Sequence, residues 1–268
     1  MEPVLSRGCA QGSVRACSGA FAFAVFIVLL PVPRAGAAKL GGPYYVDDAE
    51  IGKVGSCEVE SWNSSAGNGD RISVFSPACV VNFGAPVELG TNLVNARSDG
   101  DGISTVSLTA KTVPIPIGPS GFGLALSGAV VYDPFRHAAN GLIFTVPVTF
   151  DLSEKLRLNI NVGAQYNADP AVLYATGGVG VSWNFADQWS IISEVFAIVG
   201  PGTTNPRFQS GIRYSPTKNV DWDVIYGRNL TGEQANWITL ALHLQNRRPV
   251  TGDRLCTSGR LGAAGRAH

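Results

Sequence analysis

Charge is what this sequence lacks most. Of its 268 residues only 15% are Asp, Glu, Lys or Arg, and the 20 basic side chains are cancelled by 20 acidic ones. A typical soluble domain carries about 25% charged residues. A chain without a basic surface lacks the electrostatic footprint of a nucleic-acid binder, so no nucleic-acid partner is expected. Long hydrophobic runs are missing as well. The longest, Ala20 to Val32, contains Pro31 and falls short of the roughly 20 residues of a spanning helix. With a mean hydropathy of only +0.14, a bundle of membrane helices is excluded. Methionine occurs once, and the long, unbranched side chains that favour helices are scarce. In their place stand 32 glycines and many Ser, Thr and Asn, a composition of strands and turns.

The run at 20–32 follows Arg7 and Arg15 and precedes Ala35, Gly36 and Ala37. Charged, apolar and small residues in that order mark a secretory signal peptide; a buried N-terminal core segment is the alternative. Cleavage is expected after Ala37, so residues 1–37 are assigned to a signal peptide. The exported chain then keeps Cys57, Cys79 and Cys256.

From Cys57 to Gln245 the ruling signal is alternation with period two, the mark of strands whose faces meet different surroundings. In 156–165, Leu156, Leu158, Ile160, Val162 and Ala164 share one face, while Arg157, Asn159, Asn161, Gly163 and Gln165 share the other. Segment 173–184 repeats the pattern, with Leu173, Ala175, Val179, Val181 and Trp183 opposite Tyr174, Thr176, Gly178, Gly180, Ser182 and Asn184. Its Gly177, Gly178 and Gly180 imitate a phosphate loop, but no helix pattern follows. Further strands are expected at 57–64, 71–83, 87–97, 102–114, 122–132, 141–151, 189–199, 206–215, 220–228 and 235–245, twelve in all.

The connections alternate between two kinds. One is short and recurs in similar wording about every 31 to 36 residues, at Phe83–Val87, near Gly118, and at Leu152–Leu156, Phe185–Trp189 and Pro216–Val220. The other is richer in Gly, Asn and Asp. Two ends of a barrel would look like this. Aromatics gather at strand ends: Phe83, Phe150, Trp183, Phe185, Trp189 and Trp222 at one, and Trp62, Tyr132, Tyr166, Tyr226 and Trp237 at the other. The polar face is mostly Gly, Ser, Thr and Asn, and the apolar face is rich in Leu, Val and Ile. Lipid outside and a polar lumen inside suit those proportions; a soluble ligand-binding barrel would need many charges on its outer face. The expected fold is all-β, a single antiparallel up-and-down transmembrane β-barrel of about 12 strands over 57–245. Every second strand, beginning with 71–83, should run toward the periplasm.

Gly42-Pro43-Tyr44-Tyr45-Val46-Asp47-Asp48-Ala49-Glu50, then Gly55 and Glu58-Val59-Glu60, resembles the opening of a family of bacterial outer-membrane transporters of the MetA phenol-degradation pathway type. The repeated turn wording and the stretch Asn219-Val220-Asp221-Trp222-Asp223-Val224 through Gly227-Arg228-Asn229-Leu230-Thr231 are similar to it too, for a coverage of 41–245. The resemblance implies a barrel in the outer membrane of a Gram-negative bacterium that passes small, often apolar or aromatic, compounds. Its partners would be outer-membrane lipid, a small-molecule solute and the barrel-assembly machinery; no feature sets an oligomeric number. The last strand here ends on Leu242-His243-Leu244-Gln245 rather than on an aromatic residue. The following residues, 246–268, with Arg247, Arg248, Arg254, Arg260 and Arg266, are expected to form a disordered basic tail.

Several side chains carry chemistry. Cys57 and Cys79 are equidistant from Asn68 in the first Gly/Asn-rich turn, so a tight hairpin sets them opposite each other, close to disulfide distance. A disulfide is expected in the exported compartment; two reduced cysteines on the apolar face are the alternative. Assigned to the lumen are Glu58, Glu60, Glu88, Lys111, Arg157, Glu194, Arg213, Asp221, Asp223 and Arg228. They read either as mutually satisfying ion pairs that brace the wall or as a polar constriction that selects solutes. Residues 38–56 form an N-terminal leader or a plug, with Tyr44, Tyr45, Asp47 and Asp48 as the plug candidates. The acidic sets Asp47, Asp48, Glu50 and Asp99, Asp101 lack full calcium-loop spacing, so no metal is expected, nor any cofactor. No catalytic residue is expected either: His137 falls in a loop, and His243 has no identifiable partner. A structural or non-conducting barrel is the other function class, and sequons at Asn63 and Asn229 matter only in a eukaryotic secretory pathway.

Overall fold

The computed structural model describes residues 42–98, 101–232 and 235–246. The expected signal peptide 1–37, the tail beyond Asn246, Cys256 and Asp99 lie outside them. Twelve strands follow one another: β1 (Cys57–Ala66), β2 (Arg71–Asn82), β3 (Pro86–Ser98), β4 (Asp101–Ile115), β5 (Phe122–Asp133), β6 (Ala138–Asp151), β7 (Leu156–Ala168), β8 (Ala171–Ala186), β9 (Trp189–Gly200), β10 (Thr203–Thr217), β11 (Val220–Asn229) and β12 (Asn236–Asn246). Each pairs antiparallel with its sequence neighbours, and β12 returns to β1 through an unbroken register from Cys57↔Asn246 to Ala66↔Trp237. Closure leaves no edge strand, so every strand has a ladder on both sides, as a spanning structure in hydrocarbon requires. The strands agree with the expected ones to within a few residues. Connections at both ends are short, so composition rather than length tells the two ends apart.

The faces are inverted relative to a soluble protein. Leu108 is 65% exposed, Leu240 59% and Val162 57%, while Arg157, Asn159, Asn161, Glu194, Arg213 and Asp223 are buried. The apolar side of each strand therefore looks outward, and a soluble barrel with a dry apolar centre is ruled out. This is an all-β, closed 12-stranded barrel with the face pattern of transmembrane β-barrels. Tyr132, Tyr166 and Tyr226 face outward near one end, and Trp183, Phe185, Trp189 and Trp222 near the other, as interfacial girdles do. Two expected girdle members depart from this. Trp62 and Trp237 stand an even number of residues from the buried Glu58 and Thr239 and so face inward, Trp237 lying over Gly227.

Cys57 and Cys79 are register partners on the outer face and form a disulfide across a sequence separation of 22. It fastens the first residue of β1 to β2. Loop-closure entropy of this length corresponds to roughly 3 kcal/mol. Cys57→Ser with Cys79→Ser should lower the temperature at which the barrel loses its folded electrophoretic mobility, and the wild type should resist thiol labelling until reduced. Val162→Arg, an outward residue midway along β7, should destabilise the barrel in bilayers by roughly 2–4 kcal/mol, measured by urea unfolding in vesicles. An unchanged unfolding midpoint would contradict the lipid-facing assignment.

Candidate functional site

The lumen has a particular occupant. Before β1, residues 42–56 run around the inner wall in the half of the barrel nearest Cys57. Backbone bonds from Gly55 N to Val80 O and from Val80 N to Ser56 O, both under 3 Å, pin the end of this segment to β2. Further back, it touches the inward side chains of strand after strand. Ala49 N donates to Thr149 Oγ1 at 2.8 Å on β6. The Asn161 carboxamide on β7, oriented to satisfy both groups, donates to Asp47 O at 2.9 Å and accepts from Asp47 N at 2.7 Å. On β9, the Glu194 carboxylate accepts from Tyr45 N at 2.7 Å and Val46 N at 3.0 Å, and Gln209 on β10 donates to Pro43 O at 3.1 Å. The backbone of a strap without secondary structure is thus satisfied by the wall.

Three carboxylates of the segment, Asp47, Asp48 and Glu50, meet two cations of the wall. Lys111 on β4 lies 2.8 Å from Asp47 and 3.6 Å from Asp48. Arg157 on β7 donates through Nε to Asp151 at 2.6 Å and through Nη1 to Glu50 at 2.8 Å, with Asp48 at 3.9 Å. The opposite wall carries a two-pronged pair, Arg213 Nε and Nη2 on β10 to the Asp223 oxygens on β11 at 2.8 and 3.0 Å. Tyr44 Oη donates to Asp223 at 3.3 Å, and the Arg213 guanidinium lies 5.6 Å from the centre of the Tyr44 ring. Burial, seconded by the Asp223 charge, pushes the Tyr44 hydroxyl well above its ordinary range, so it remains a proton donor.

Shape matches charge. Val46 and Asp48 are fully buried. Gly178 and Gly180, two of the three glycines that imitate a phosphate loop, face inward and leave a dent for Val46: a Cβ on Gly178 would stand 2.7 Å from Val46 Cγ2, and one on Gly180 3.3 Å from Val46 Cβ and Cγ1. Tyr45 stacks on Phe196 at 4.3 Å between ring centres, and Tyr44 packs with Ile192 and Ile225 in an apolar cluster of the interior.

A second polar group lies by the ends of β1, β11 and β12. His243 sits between Asp221 (Nδ1 to Oδ2, 3.3 Å) and Glu58 (Nε2 to Oε2, 3.4 Å), so the histidine does have partners, on strands its own sequence neighbourhood does not reveal. Ser215 Oγ donates to Asp221 at 2.6 Å, and Gln245 Nε2 to Glu58 at 3.3 Å. Glu58, Glu60 and His243 bring ligand atoms within 4.8 Å of one another. Their contacts read as an ion-pair cluster in which the imidazole bridges two carboxylates.

Of the ten residues assigned to the lumen, nine face it. Glu88 stands opposite Lys111 in the β3–β4 register. Arg228 is the correction. Inward residues of β11 are Asp221, Asp223, Ile225 and Gly227, so a residue one step out of phase points outward, beside Phe208 and Tyr226. Thr149, Asp151 and Gln209 are not among the expected lumen residues, and Asn159 and Asn161 are placed on the polar face by their alternation but given no role there.

Removing one member of a buried pair leaves an uncompensated charge, which costs about 3–5 kcal/mol. Arg213→Leu should therefore lower stability in urea sharply, and Asp223→Asn added to it should restore a good part. If the double variant is as unstable as the single one, the pair does not act as described.

The fold is shared with solved outer-membrane proteins. NanC porin superposes with a TM-score of 0.57 at 7% identity, covering 69% of this chain and 98% of that one. The COG4313 outer membrane channel from Pseudomonas putida F1 gives 0.56 at 13% identity, covering 74% and 98%, and KdgM porin 0.54 at 11%, covering 70% and 98%. At such identities the likeness is one of fold, and none of these matches carries the phenol-degradation assignment. No curated protein sequence matches the chain. Residues 26–245 fit the family described as Uncharacterised conserved protein UCP029691, and the chain belongs to that family.

Proposed function

We propose that the protein is an outer-membrane channel for small solutes, inserted by the barrel-assembly machinery, and that residues 42–56 are its plug. The observation that carries this reading is the fit between segment and wall: Asp47, Asp48 and Glu50 against Lys111 and Arg157, the Tyr45 and Val46 amides against Glu194, and Val46 in the Gly178/Gly180 dent. Most of these contacts are polar. Each contact to a charged group contributes about 1.5–3 kcal/mol net, less than its gross strength, because water replaces it when it breaks. A strap held in this way can leave part of the lumen without unfolding the barrel, whose ladders do not depend on it.

The proposed cargo is small, apolar or aromatic, which rests on the family resemblance in Gly42–Glu50; the stacked Tyr45 and Phe196 would offer such a solute an aromatic surface once the strap yields. KdgM porin is described in complex with oligogalacturonate. A polyanion of that kind is disfavoured here, since Glu58, Glu60, Glu194, Asp221 and Asp223 face the lumen. A non-conducting scaffold is the second reading, favoured by the complete burial of Val46 and Asp48.

In planar bilayers the wild type should show small or rare openings. Deletion of 42–52, and separately Gly180→Val, which presses on Val46, should raise conductance several-fold while leaving the folded mobility intact. Equal conductance in all three would favour the scaffold. In liposome-swelling assays neutral aromatic solutes should enter the deletion variant faster than galacturonate oligomers; the reverse order would overturn the cargo assignment.

A further inference from the structure

We infer that the outer face of β2 and β3 carries a binding site for the phosphate groups of an outer-leaflet lipid, formed by Arg71 and Arg97. The inference rests on the outer-membrane reading above and adds a lipid partner to it. Arg71 and Arg97 are direct register partners, Arg71↔Arg97, at the end of the barrel far from Cys57. Both are exposed, and both share the outward face of Phe75 and Leu93, four residues along each strand. Like charges directly opposite across a ladder repel. Among the described residues, neither guanidinium has an ion pair or a hydrogen bond. Asp70, the chain neighbour of Arg71, is held by Asn68 Nδ2 at 2.9 Å. Two adjacent, exposed guanidiniums with no counter-charge on them among the described residues attract an anion, and the fork geometry of arginine suits phosphate oxygens.

The surface below the pair grades as a leaflet does. One row beneath the arginines, Asn63, Ser73, Asn95 and Ser104 line up across β1–β4 on the outer face. Asn63 Nδ2 donates to Ser73 Oγ at 2.6 Å and Asn95 Nδ2 to Ser104 Oγ at 2.9 Å. The next row, Phe75 and Leu93, is apolar and about half exposed. At roughly 3.4 Å per residue, the guanidiniums are anchored some 13 Å along the strand from that apolar row. Acyl chains, then amide and hydroxyl groups, then phosphate would meet partners of their own kind in that order. An even number of strands puts both ends of the barrel chain on one side, the side of entry for a chain inserted from the periplasm. The arginines are therefore at the outer leaflet.

The test uses the full protein folded into phosphatidylcholine vesicles containing either diphosphoryl lipid A or its dephosphorylated form, with lipid A retained on the extracted barrel as the readout. The wild type should retain diphosphoryl lipid A, and Arg71→Ala with Arg97→Ala should weaken it by roughly 30-fold, with conductance unchanged. Arg71→Lys with Arg97→Lys should keep part of the affinity, since charge is retained. The dephosphorylated lipid should bind the wild type no better than the alanine variant binds the phosphorylated one. Equal retention in wild type and alanine variant, or equal retention of both lipids, would overturn the site, as would competition by millimolar inorganic phosphate alone. Failure of the wild type to adopt a folded, protease-protected form in either vesicle would overturn the outer-membrane reading and the site with it; a folded barrel without phosphate preference overturns the site only.

Discussion

A closed antiparallel ladder is the constraint on which everything else in this protein depends. Once β12 pairs with β1, no backbone edge is left to protect, and the two faces of the sheet are free to take opposite solvents. Leu, Val and Ile then satisfy the outside at no polar cost, and the inside inherits every charge and amide that alternation places there. Arg157, Arg213, Glu194 and Asp223 are consequently buried in a protein whose hydrophobic residues are exposed, and each needs a partner where water is scarce.

Residues 42–56 answer part of that demand. The strap has no secondary structure, so its own amides and carbonyls need partners just as the wall does. The two deficits cancel: Glu194 receives two strap amides, the Asn161 carboxamide mimics a neighbouring strand, and Arg157 reaches Glu50 as well as its ladder partner Asp151. Arg213 and Asp223, in contrast, satisfy each other from adjacent strands and meet the strap at Tyr44. One wall is thus braced with or without the strap, and the other is completed by it. That asymmetry gives a physical basis for a plug that moves on one side while the barrel stands.

The outer surface follows a separate logic. Its aromatic residues mark two interfaces, its aliphatic residues lie between them, and the disulfide between Cys57 and Cys79 closes the hairpin at the end where the strap enters. At the opposite end Arg71 and Arg97 face each other with no ion pair among the described residues. Charge is so scarce in this chain that a pair of like charges facing each other on the lipid side stands out from its surroundings.

How much of this was legible in the sequence depends on the distance over which each feature is decided. Period-two alternation is local, so Leu156–Gln165 and Leu173–Asn184 displayed their lumen and lipid faces directly, and the turn wording counted the hairpins. The position of Cys57 and Cys79 about Asn68 is also local, within one hairpin. Phase errors entered where alternation was followed across an odd step, as at Arg228, or where an aromatic was assigned from its height alone, as at Trp62 and Trp237. The partners of His243 and the contacts of Tyr44, Tyr45, Asp47 and Asp48 join residues that closure of the barrel alone brings together, and no periodicity records such pairs. Sequence by itself determined which face of most strands meets lipid and which meets the lumen, because that choice is made every second residue. What fills the lumen was decided only in the tertiary structure, because it depends on charges and dents from strands far apart in the chain converging on one strap.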